Sequence, residues 1–79
     1  MMIQFHDVSA RLRDAIMHIE RKEKVKDKDI ACSLGLDPQY YAVIKRRNKI
    51  PYEAIALFCK KNRLSMNWIL LRQKPIHLT

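Results

Sequence analysis

The chain has 79 residues, with sixteen Lys and Arg against eight Asp and Glu, a formal charge of +8. A single domain of this length buries roughly 60% of the surface its unfolded chain exposes, which leaves no room for a deep catalytic cleft beside a second layer. An apolar share of 48% argues against disorder, no run approaches the ~18 apolar residues of a membrane span, and the opening MMIQFHDVSARLRD does not read as a signal peptide.

The pattern predicts a first helix from about Ser9 to Glu23, with Asp7 or Ser9 as its cap. Val8, Leu12, Ala15, Ile16 and Ile19 recur every three or four residues as one apolar stripe. Lys22–Lys28 alternates charge and reads as a connection, apolar only at Val25. A short second helix follows, Asp27 to about Leu34, with Ile30, Ala31 and Leu34 inward. Gly35 ends it, because glycine readily adopts the left-handed turn conformation. Leu36 is an apolar anchor. Asp37 is the expected N-cap of a third helix that has Pro38 in its first turn and runs to about Arg47, with Tyr41 and Ile44 inward.

Asn48-Lys49-Ile50 connects to a fourth helix opened by Pro51, with Glu53 complementing its dipole and Ala54, Ile55, Leu57 and Phe58 expected inside. Ser65 caps a fifth helix, Met66 to about Arg72, carrying Trp68, Ile69 and Leu71. Pro75 stops it, and residues 73–79 are a tail. The expected fold is all-α, five helices in one domain.

The window Asp27–Arg46, DKDIACSLGLDPQYYAVIKR, has the spacing of a helix-turn-helix. Ala31 must be small where the third helix crosses the second. Gly35 makes the turn four residues later. Ile30, Leu34, Leu36, Tyr41 and Ile44 wedge the two helices at an angle that lets the third project into a major groove about 12 Å wide. The longer stretch LGLDPQYYAVIKRRNKIPYEAIALFCKKNRLSMNWIL resembles the N-terminal DNA-binding domain of CI-type prophage repressors. It carries a turn glycine, a third helix ending in a basic pair, the step IPYE, FC with lysines, and a closing S-x-x-W-I-L helix. The resemblance covers about residues 8–72. It implies a five-helix lambda-repressor-like fold, operator binding and dimerisation. Tyr41 stands where the family commonly has a smaller β-branched residue. Its hydroxyl is expected to reach the edge of the core, or the helix to sit slightly farther out.

Pro38, Gln39, Ala42, Val43 and Arg46 face away from the expected core and are the candidate base readers. Glutamine can pair bidentately with adenine and arginine with guanine, while Ala42 or Val43 suits a thymine methyl; Arg46 alternatively takes a phosphate. Lys28, Lys45, Arg47, Asn48 and Lys49 suit phosphates. Tyr40 either hydrogen-bonds a phosphate or covers the first helix. A pair of domains reading an inverted-repeat operator would join through Ile69, Leu71, Ile76 and Leu78, a homodimer formed at least on DNA.

After Glu53 the chain has no acid but has Lys60, Lys61, Arg63, Arg72 and Lys74, a balance that favours polyanions. Cys32 and Cys59 are far apart and outside any CxxC, and His6, His18 and His77 give no metal spacing with them. The expectation is a reduced, cytoplasmic regulator without cofactor, metal or catalysis, ending at Thr79 as a stand-alone protein or an excised domain. The alternative is a basic protein-interaction module, antitoxin- or antirepressor-like, in which an apolar patch would replace the outward polar side chains.

Overall fold

The computed structural model describes residues 2–74 and residue 76. Five helices follow in order: α1 Phe5–Glu20, α2 Asp27–Ser33, α3 Pro38–Arg46, α4 Tyr52–Asn62 and α5 Met66–Leu71. No strand occurs among the described residues, so the domain is all-α. One apolar core is shared by all five helices. Its fully buried side chains include Leu12 and Ile16 of α1, Ile30 of α2, Tyr41 and Ile44 of α3, Ile55 of α4 and Ile69 of α5.

α1 begins four residues earlier than the pattern predicts, and neither Asp7 nor Ser9 caps it. The Ser9 hydroxyl instead donates to the His6 carbonyl at 3.0 Å. The early start has a tertiary cause. Phe5 is buried edge-on against the Tyr41 ring, centroids 5.3 Å apart, and its N–H donates to the Asn48 Oδ1 at 2.7 Å. The helix ends at Arg21, left-handed at φ 52°, so the expected extension to Glu23 is not made. Ile19, near that end, borders two open hollows, one lined by Leu64 and Trp68 and the other by Cys32 and Phe58, and is 42% exposed rather than buried with its stripe.

α1 is tied to α5 by Arg11, whose guanidinium donates to the Ile69 carbonyl at 2.6 Å and the Leu70 carbonyl at 3.1 Å. A cation at a helix C-terminus also meets the negative end of the dipole. Ser65 caps the other end of α5, accepting from the Trp68 N–H at 3.3 Å.

In α4 the buried stripe is Ile55, Phe58 and Cys59. Leu57 lies across the helix from it and is 62% exposed, which corrects the expectation that it is inside. Cys59, free and buried, has its thiol pushed up from 9.0 to about 11 by loss of hydration.

The second and third helices match the predicted spacing closely. Ala31 is fully buried and Asp37 caps α3, its carboxylate accepting the Gln39 N–H at 2.7 Å. Between them the chain reverses in a Schellman turn. The Leu36 N–H reaches back to the Ala31 carbonyl at 2.8 Å and the Gly35 N–H to Cys32 at 3.0 Å, with Gly35 at φ 71°. A Cβ at Gly35 would meet nothing within 4 Å, so the demand for glycine is purely conformational. Gly35→Val should therefore cost at least about 1–2 kcal/mol. For a domain of this size each kcal/mol lowers Tm by about 4–8 °C. Gly35→Asn should recover much of the loss, because asparagine tolerates the left-handed region. Thermal melts of the three proteins check this; a valine variant melting with the wild type would contradict it.

Tyr41 departs from expectation in a different way. Its hydroxyl does not reach the edge of the core: it is buried, with no hydrogen-bond partner among the described residues. Burial, helped by the negative charge of Asp27, pushes its pKa from 10.0 to about 12.

Candidate nucleic-acid interface

α3 turns Tyr41 and Ile44 into the core and packs chiefly on α2. At 100° per residue, Gln39, Ala42, Val43 and Arg46 then form one stripe on the opposite side of the helix. Gln39, Ala42 and Arg46 are exposed and Val43 is half-buried. Pro38 and Lys45 lie along one flank of this stripe, Tyr40 and Arg47 along the other, all exposed. The five residues expected to read bases thus occur together on α3, four of them in line and Pro38 beside them at the N-terminus. The stripe offers an amide with a donor and an acceptor, a guanidinium fork and two small apolar side chains. That set suits the edges of base pairs in a major groove.

The expected phosphate ligands do not share one environment. Lys28, Arg47 and Lys49 are exposed and make no ion pair among the described residues. Lys45 is held by Asp27, Nζ to Oδ2 at 2.6 Å. Tyr40, 48% exposed, does not simply cover α1; with Leu36, Tyr52 and Leu57 it borders an open hollow of about 410 Å³ between α3 and α4.

Asn48 has a different role from the phosphate contact expected of it. It is the left-handed residue, φ 53°, of a second Schellman turn, in which the Lys49 N–H donates to the Ile44 carbonyl at 2.9 Å. Its side chain is used at both ends. Oδ1 accepts from the Phe5 N–H at 2.7 Å, and Nδ2 donates to Gln4 Oε1 at 3.1 Å. Asn48 therefore ends α3 and satisfies one of the unpaired N–H groups at the start of α1. Asn48→Gly keeps the backbone conformation and removes the bridge, and should cost about 1 kcal/mol; Asn48→Ala loses both and should cost about 2–3 kcal/mol. Chemical denaturation of both variants is the check. Equal unfolding free energies for the alanine and glycine variants would refute the conformational half of this role.

The surface expected to join two copies is also altered. Ile69 is fully buried and cannot face a partner, because α5 turns it inward against the core. Leu71 and Ile76 are exposed at 46% and 36%, while Leu78 lies outside the described residues. Trp68 is half-buried and packed against the core, and its outer part borders a hollow with Ile19 and Ile76.

Two residues that the sequence reading passed over belong to this region. Arg13 of α1 reaches the same Asp27 carboxylate that holds Lys45, at 3.3 Å. Tyr52, at the start of α4, stands exposed beside Tyr40 in the hollow next to α3. The basic residues near the C-terminus sit elsewhere: Lys60 and Arg63 border a hollow with Met66 and Asn67 that includes no α3 residue. No helix among the described residues is long and apolar enough to cross a membrane, and no described group of His, Cys, Asp and Glu is placed to hold a metal ion. Comparison with family models, curated proteins and solved structures gives no match.

Proposed function

We propose that this domain is a sequence-specific double-stranded-DNA-binding regulator of transcription, a repressor of the CI prophage type acting in the cytoplasm. The observation that carries the reading is the outward stripe of α3, Gln39, Ala42, Val43 and Arg46, bordered by Arg47 and Lys49. The charge of +8 supports it, since backbone phosphates supply most of the sequence-independent affinity for duplex DNA. Repression then requires no chemistry, because occupancy of a promoter excludes polymerase.

One recognition helix reads only a few base pairs, too few to select among the ~10⁶ or more competing sites of a genome. Two copies on an inverted repeat, with half-sites about 34–36 Å apart, give the needed length. Leu71 and Ile76 are the described apolar residues left for their contact. Native mass spectrometry on a selected high-affinity duplex should find two copies per site. One copy on a full-affinity, non-repetitive site would contradict the pairing.

A second reading has its own observation. Tyr40, Tyr52 and Leu57 expose apolar surface around one hollow beside α3, as a protein-interaction module would. That patch lies on the flank of the helix and leaves the polar stripe intact, so DNA is the preferred partner. An antitoxin- or antirepressor-like module would bind its protein partner unchanged after loss of Gln39 and would show no preference among duplexes.

A further inference from the structure

Where α1, α2 and α3 meet, two cations converge on one carboxylate. Asp27, the first residue of α2, accepts from Lys45 Nζ through Oδ2 at 2.6 Å and from Arg13 Nη2 through Oδ1 at 3.3 Å. All three side chains remain about half exposed, so these are contacts in water rather than buried links. Such pairs exchange readily for other partners of the same charge. Lys45 belongs to the flank of α3 next to Arg46, within reach of whatever α3 meets.

The arrangement has the chemistry of a phosphodiester contact. One negative charge is spread over two oxygens, each accepting from a different cation. We infer that Asp27 is an internal stand-in for a DNA phosphate. In the free protein it holds Lys45 and Arg13 beside the recognition surface, and on a duplex it gives Lys45 up to the backbone. The inference rests on the DNA-binding reading and adds a regulatory term to it. Each encounter with DNA must break the Lys45–Asp27 pair and bring the Asp27 charge near phosphates. Asp27 thus acts as a brake on backbone affinity that is indifferent to base sequence.

The test is binding of a random-sequence 20-base-pair duplex by the 79-residue chain, followed by fluorescence anisotropy across a salt series. Asp27→Asn keeps the size of the side chain and removes its charge. It should tighten binding about three- to fivefold near 0.1 M salt and leave the log–log salt slope close to the wild-type value, because Lys45 meets a phosphate in both complexes. Asp14→Asn makes the same change in net charge on α1, beside Trp68 and Ile76 and away from α3, and should give less than about a twofold gain. Measured against Lys45→Met alone, the same Asp27→Asn change should give less than about a twofold gain. Circular dichroism at the assay temperature confirms that each variant is folded. An equal gain from Asp14→Asn, a gain that survives loss of Lys45, or no gain at all would overturn the inference while leaving the DNA reading in place. Failure of the wild-type protein to bind any duplex would overturn both.

Discussion

Raising salt from about 50 to 200 mM is expected to weaken one domain's hold on duplex DNA about 150-fold. The figure follows from the cations placed around α3. Lys28, Arg47 and Lys49 are exposed and free of ion pairs among the described residues, and Lys45 becomes available once it leaves Asp27. Four neutralised phosphates release about 0.9 counterion each, so log K should fall against log salt with a slope near −3.6. If Lys45 stays with Asp27 the slope should drop to about −2.7, which makes the same titration a measure of how complete the exchange is. Two domains on one site double the slope. Anisotropy with a labelled duplex at five or six salt concentrations is sufficient, and an affinity unchanged by salt would remove the electrostatic basis of the proposal.

Gln39→Ala should lower affinity for a selected site about 5- to 150-fold per domain and leave binding to random duplex nearly unchanged. The range corresponds to the ~1–3 kcal/mol of discrimination that a bidentate base contact carries. The Gln39 backbone is already fixed by its bond to Asp37, so alanine removes the side chain without disturbing the helix start. Lys49→Ala should behave in the opposite manner, weakening selected and random duplexes by similar factors, because a phosphate contact carries no base information. Competition assays with both duplexes separate the two patterns. Equal behaviour of the two variants would mean that α3 is not the reading element.

Much of the path from sequence to this surface was legible because it depends on neighbours in the chain. Gly35, Asp37 and Pro38 act within one turn of their own positions, and the boundaries they set for α2 and α3 agree with the structure to within a residue or two. The stripe on α3 follows from the spacing of Tyr41 and Ile44 alone. What the sequence hid depends on partners far along the chain. Asn48 reads as one more polar residue in a basic run, yet its use is set by Phe5, 43 positions away. Arg11 reads as a solvated charge, yet it ends a helix 58 positions later. Leu57 and Ile19 misled for another reason. Both are apolar by composition, but Leu57 lies off the period of its helix and Ile19 borders open hollows between α1 and its neighbours. Ile69 and Leu71, grouped as one surface by their chemistry, are divided by the pitch of α5 into a core residue and an exposed one.

The outer face of α3 is proposed to read base pairs. Selection of bound duplexes from a random library, run in parallel with wild-type protein and Gln39→Ala, tests it most directly. The wild type should enrich an approximate inverted repeat, and the variant should enrich the same repeat with information lost at one position in each half-site, symmetrically placed. Salt-sensitive binding with no enriched sequence, or an identical motif from both proteins, would contradict it.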